Sequence, residues 1–206
     1  KYLNILGIDY ADSILLHTPK ASKIPLEESY SELKRLVSIG KSRNVSASNL
    51  NINQLKMIVE ELGIELFSFE GLYNLECKQN EDVGILNYCK EHNILFINYQ
   101  PFRRNRTANH NYPLLLELAN KYNKTVNQII LRWDIDTNCI PIPASSSEQH
   151  IYENFDIFDF SLTGDEIDII NGLEVGKRVR YNPRTRFSLR EKISFLKHRL
   201  ILNLHK

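Results

Sequence analysis

Two hydrophobic periods alternate along the chain. Ser13–Thr18 (SILLHT) is a short apolar run closed by polar residues, the mark of a buried strand. Leu26–Ile39 places Leu26, Tyr30, Leu33, Leu36 and Val37 at helical spacing, and Gly40 follows as a stop. Ser42–Ala47 predicts a weaker strand. Asn51–Leu62 predicts a helix with Ile52, Leu55, Ile58, Val59 and Leu62 on one face, closed by Gly63. Leu66–Glu70 reads as a strand, Val83–His92 as a helix and Ile94–Tyr99 (ILFINY) as a buried strand. Pro113–Tyr122 opens with proline, which suits the first turn of a helix. Thr125–Ile135 is a further helix, with Thr125 and Gln128 spaced as a capping box. Cys139–Ile142 is a strand, and Ser147–Phe155 and Thr163–Asn171 are helices, the last with a capping box of Thr163 and Glu166.

About five βα repeats of this kind predict an α/β fold whose parallel sheet is covered by helices. An open doubly wound sheet and a (β/α)₈ barrel both fit. No GxGxxG follows any strand, so the usual dinucleotide fingerprint of the open fold is absent. Polar residues gather at the strand ends: His17-Thr18, Ser48-Asn49, Glu70, Tyr99-Gln100 and Ser145-Ser146. Parallel α/β folds build their sites at that end, although loops are polar for other reasons too.

Composition changes the picture in one place. The 206 residues are 42% hydrophobic and 25% charged, ordinary for a globular domain and unlike disordered or collagenous sequence. No apolar run reaches the roughly 18–20 residues of a membrane helix. Cys77, Cys89 and Cys139 are too widely spaced for a disulfide framework or a zinc site, which suggests a reducing, cytoplasmic setting. The net charge of +1 hides an asymmetry. From Lys177 to Lys206 there are ten basic residues and one acid, a tail of +9 on a body of −8.

At its strand ends the sequence resembles the aldo-keto reductase family. LGIDYADSILLHTP (Leu6–Pro19), LVSIGKSRNVSASNL (Leu36–Leu50), YCKEHNILFINYQPF (Tyr88–Phe102), LANKYNKTVNQIILRW (Leu118–Trp133) and IPIPASSSEQHIYENFDIFDFSLTGDEI (Ile140–Ile167) follow the family's motifs in order, from Leu3 to about Arg178. The resemblance implies a (β/α)₈ TIM barrel over 1–178, with 179–206 as a basic tail, and NADPH- or NADH-dependent reduction of a small carbonyl compound by an oxidoreductase without a metal. It assigns His17 to the catalytic histidine that orients and polarises the carbonyl. It assigns Ser48 and Asn49 to the nicotinamide carboxamide, and Tyr99 to the face of the nicotinamide ring. Gln100 and Phe102 follow in the same cofactor-binding segment, Ser145 matches a serine near the adenosine phosphate, and Glu153 and Asn154 match a pair that binds adenine.

Several positions depart from the family pattern. Glu70 stands where the family has a glutamine on the carboxamide; a carboxylate accepts from the amide NH₂, cannot donate to its carbonyl, and adds charge beside the ring. Gln100 replaces a serine. Ala144 and His150 replace two cations that bind the 2′-phosphate of NADP, so charge-assisted preference for NADPH is weakened and NADH is admitted. Arg103, Arg104 and Arg106 follow the strand Ile94–Tyr99 and suit either a pyrophosphate or a solvated loop.

The family's first three βα units, with the general-acid Tyr and its Asp and Lys, have no match, so His17 is the one catalytic residue matched. A barrel needs about 250 residues. The expectation is that this sequence is part of a longer polypeptide. The alternative is a short, catalytically inactive scaffold or pseudoenzyme. In the tail, Leu189, Ile193, Leu196, Leu200 and Leu204 form one apolar stripe within a helix over 188–204. That helix would pack on the barrel or dock a protein partner; an anionic membrane surface or nucleic acid is a weaker reading.

Overall fold

The computed structural model describes residues 2–19, 24–173 and Val175. The predicted tail helix over 188–204 lies outside the described residues. The chain order is α1 (Tyr2–Leu6), β1 (Ala11–Leu16), α2 (Leu26–Ser38), β2 (Ser42–Ser48), α3 (Ile52–Lys56), β3 (Leu66–Leu72), α4 (Gln79–Asp82) and α5 (Ile85–Glu91). It continues with β4 (Leu95–Tyr99), α6 (Arg106–Asn109), α7 (Pro113–Tyr122), α8 (Val126–Asp136), β5 (Cys139–Ile142), α9 (Glu148–Phe155) and α10 (Gly164–Asn171).

Among the described residues all four strand pairings are parallel, and the sheet runs β1-β2-β3-β4-β5 in sequence order. A doubly wound sheet would reverse direction at a switch point. This sheet never reverses, so topology makes the choice that periodicity left open and places the fold with barrels.

The two faces of the sheet differ. Val45, Ala47, Phe69, Phe96 and Cys139 are buried on one face, which packs against the helices. Trp133 of α8 is fully buried there and stacks on Tyr73, ring centroids 5.5 Å apart. On the other face, Leu15, Ser46, Ser68 and Leu95 pair in one row. The hydroxyls of Ser13, Ser46 and Ser68 form a chain of hydrogen bonds of 2.6 and 2.8 Å across it. Leu15, Leu95, Ile140 and Ile142 are exposed on this face. Continued upward, the same face carries Ser48, Glu70 and Tyr99, since Ser48 pairs with Glu70, Glu70 with Ile97, and Tyr99 with Ile142.

The expected helix stops hold: Gly40 and Gly63 have φ of +71° and +58°, which a residue with a Cβ adopts only at a cost. Both expected capping boxes form, and Asn51 with Gln54 makes a third. Four expectations need correction. The first strand runs from Ala11 to Leu16, two residues earlier than SILLHT, because its pairing with β2 starts at Ala11 opposite Ser42 and leaves His17 and Thr18 beyond the last pair. The helix expected over 51–62 is α-helical only to Lys56 and continues as a π-helical turn, Met57–Glu61. The helix expected over 83–92 starts at Ile85, behind a left-handed Gly84 that separates it from α4. The strand Leu66–Glu70 extends to Leu72, since Gly71 and Leu72 still pair with Asn98 and Tyr99.

Candidate functional site

Because the strands are parallel, their C-terminal ends meet at one side of the sheet. His17 follows β1 directly, Ser48 ends β2, Glu70 lies near the end of β3, Tyr99 ends β4, and Ser145 follows β5. A cavity of about 780 Å³ opens there, within the size range of small-molecule and cofactor sites. His17, Asn49, Glu70, Tyr99, Gln100 and Phe102 line one part of it, and Ser145, His150, Glu153 and Asn154 another. Residues that the sequence scatters from 17 to 154 are thus brought to one cavity. Ser48 is the exception: it is fully buried behind the wall.

Asn49 ties four strand ends together. Its Nδ2 donates to the His17 carbonyl at 3.0 Å and to Ser48 Oγ at 2.9 Å. Its Oδ1 accepts from the Tyr99 hydroxyl at 2.9 Å, and its backbone N–H donates to the Glu70 carbonyl at 3.3 Å. Asn49 reaches this geometry through a left-handed backbone, φ +55°, which asparagine tolerates better than most residues. Both amide hydrogens are spent, and one lone pair on Oδ1 remains to accept from a ligand.

His17 is exposed at the cavity mouth. Its Nδ1 lies 3.3 Å from Thr18 Oγ1, and its Nε2 lies 3.8 Å from Glu70 Oε1. Glu70 is mostly enclosed, with 18% of its side chain exposed against 70% for His17.

The loop after β4 is held in an unusual backbone. Gln100, Arg103, Arg104 and Asn105 all have positive φ. Asn74 Nδ2 donates to the Gln100 carbonyl at 3.0 Å, and Arg103 forms an ion pair with Glu76, whose side chain is almost wholly buried. The three arginines of this loop therefore separate. Arg103 is turned to Glu76, Arg106 is exposed at the start of α6, and Arg104 lines the cavity.

At the far side, Ser147 caps α9 by accepting from the His150 N–H, and Ser145 Oγ accepts from the Ser147 N–H at 3.1 Å. The Glu153 carboxylate accepts from Gln149 Nε2 at 2.8 Å. Ala144 lines the cavity with no charge to offer.

Asn105 and Asn127 also line the cavity and were missed in the sequence. Asn127 Nδ2 donates to Asn105 Oδ1 at 3.0 Å, while its own buried Oδ1 has no hydrogen-bond partner. The available signal was the Thr125–Gln128 capping box, which fixes Asn127 in the first turn of α8. Thr18, Pro19, Pro101, Ile142 and Pro143 complete the wall.

Residues 1–175 match the family model described as "Aldo/keto reductase family". The chain is 33% identical over 181 residues to an uncharacterised oxidoreductase of Bacillus subtilis, covering 88% of this chain and 62% of that protein. It is 34% identical to an NADPH-dependent alpha-keto amide reductase of Saccharomyces cerevisiae, covering 83% of this chain and 58% of that protein. Among solved structures, it is similar to an aldo-keto reductase of Bombyx mori in complex with NADP, at a TM-score of 0.73 and 33% identity, over 82% of this chain and 59% of the other. A structure described as a 2,5-diketo-D-gluconic acid reductase B is similar at a TM-score of 0.78 and 27% identity, over 88% and 63%. The chain thus spans about three fifths of the length of these relatives.

Proposed function

The chain belongs to the aldo/keto reductase family, and we propose that its cavity binds a nicotinamide dinucleotide and serves the reduction of a small aldehyde or ketone. The observation that carries this reading is Asn49, whose four hydrogen bonds align His17, Glu70 and Tyr99 at one cavity wall.

The cavity fits the group on its own chemistry. Tyr99 presents a ring whose hydroxyl is tethered, suited to stacking against a flat heterocycle. Asn49 keeps an acceptor for an amide NH₂. Asn127 Oδ1 is a buried acceptor without a partner, a cost that a bound donor would relieve. Arg104 and the capped N-terminus of α9 offer positive potential for phosphates. Glu153 and Asn154 supply polar contacts for the adenine. When bound, the nicotinamide supplies the hydride. His17 donates an N–H to the carbonyl oxygen, where negative charge develops during reduction. Ala144 and His150 put no permanent cation at the two positions where the family has one, which supports use of NADH beside NADPH.

A second reading is cofactor binding without turnover. It is favoured by one observation: Tyr99 is the one phenol among the described residues lining the cavity, and its hydroxyl is committed to Asn49. Calorimetric titration with NADPH and NADH, beside an assay of dihydronicotinamide consumption with a panel of aldehydes, separates the cases. Binding with turnover supports the enzyme, and binding alone supports the second reading. Absence of binding in both the chain and any longer native form defeats both.

A further inference from the structure

We propose that Glu70 makes this cavity select the redox state of the nicotinamide, holding the oxidised, cationic form more tightly than the reduced, neutral form. The inference rests on the reading above that the nicotinamide end lies against Tyr99.

Glu70 and Tyr99 project from neighbouring strands on the same sheet face, because Glu70 pairs with Ile97, two residues before Tyr99. Both line the cavity. Among the described residues, the ion-pair partner of the Glu70 carboxylate is His17, at 3.8 Å on a side chain 70% exposed. A long pair to an exposed histidine neutralises little, and only when the imidazole is protonated. The other charge-bearing residues of the described wall come from other elements, Arg104 from the loop after β4 and His150 and Glu153 from α9. A negative charge in a half-enclosed setting therefore faces the region of the ring.

The oxidised ring carries a unit positive charge and the reduced ring carries none. A carboxylate attracts only the first, and so does the face of an aromatic ring. Glu70 and Tyr99 thus act in the same direction. The neutral glutamine to which Glu70 corresponds in the family pattern would draw no such distinction. Tighter holding of the oxidised form makes the bound reduced form a stronger hydride donor. It also retains the oxidised product, so oxidised cofactor becomes an effective inhibitor.

The test is calorimetric titration of the 206-residue chain and its Glu70→Gln variant with NAD⁺, NADH, NADP⁺ and NADPH. The expected result is preference for the oxidised member of each pair. Glu70→Gln should cut the ratio of reduced-form to oxidised-form dissociation constants by about tenfold, the scale of one partly screened charge, because the amide donor it adds acts on both forms alike. Equal changes in both forms, or none, overturn the proposal while leaving the cofactor site standing. If neither form binds the unaltered chain or a longer native form, the cofactor reading fails and the proposal with it. A thermal melt of Glu70→Gln matching the parent shows that the comparison is between folded proteins.

Discussion

The Tyr99 hydroxyl donates a 2.9 Å hydrogen bond to Asn49 Oδ1, joining the end of β4 to the end of β2 across β3. It fixes both the tilt of the Tyr99 ring and the free face of the Asn49 amide. Tyr99→Phe keeps the ring and removes the tether. The variant should lose about 1 kcal/mol of stability and bind dinucleotide several-fold more weakly, measured by urea unfolding and titration. Dinucleotide affinity equal to the parent's would show that the tether does not order the site.

Ala144→Lys combined with His150→Arg places two cations on the cavity wall. NADPH affinity should rise by about tenfold or more relative to NADH, since charge-assisted bonds to a phosphate are worth roughly 1.5–3 kcal/mol. The ratio of the two dissociation constants is the quantity to measure. An unchanged ratio would place the 2′-phosphate elsewhere.

Arg103 neutralises Glu76, whose carboxylate is otherwise enclosed in protein. Arg103→Ala leaves that charge buried and should cost about 3–5 kcal/mol in urea unfolding. Adding Glu76→Leu to the same chain should recover a large part of the loss. If the double variant is as unstable as the single one, the strained backbone of the loop, rather than the charge, is what Arg103 supports.

Glu166 fastens α10 to α7. Burial opposes its charge, but hydrogen bonds from Lys121, Tyr122 and Thr163 outweigh this and pull its pKa from 4.5 to about 2. A lowered carboxylate pKa stabilises the fold above the unfolded value and loses that effect as pH falls toward the folded one. Unfolding free energy should therefore decline between about pH 4.5 and pH 2, and Glu166→Gln should flatten that decline and lower stability at neutral pH by about 2 kcal/mol.

Asp134 works in the opposite sense. It is fully buried in α8, and burial holds its pKa well above 3.8, with the nearby Asn98 side chain opposing only in part. The folded state keeps a proton that the unfolded state releases, so stability is lost as pH rises above 3.8. Asp134→Asn should be more stable than the parent at neutral pH by about 1–3 kcal/mol, and the gap should close in acid. A gap that persists at low pH would point to packing instead of ionisation.

The helices with strong local signals were legible in the sequence. Pro113, Thr125–Gln128 and Thr163–Glu166 mark helix starts through backbone chemistry that needs no distant partner. The strand-end polar residues were legible for a related reason, since parallel topology sends every such end to one side. Elements as short as α4 and α6 left no trace, because four residues carry no period and are held by tertiary contacts. Ser48 shows the limit at the site itself. Its place in the motif implies a ligand contact; in the fold Ser48 shares the sheet face of Glu70 and Tyr99 but is fully buried, its hydroxyl accepting from Asn49. Asn127 shows the converse, a cavity residue hidden inside an ordinary helix sequence.

The strand order has a consequence for how the sheet is assembled. Among the described residues each strand's partner is the next one along the chain, so each of these pairings closes one helical crossover. Topologies dominated by such near contacts fold faster than those joining remote segments. A nascent chain can therefore add its strands in order as they leave the ribosome, each new βα unit finding its template already laid down.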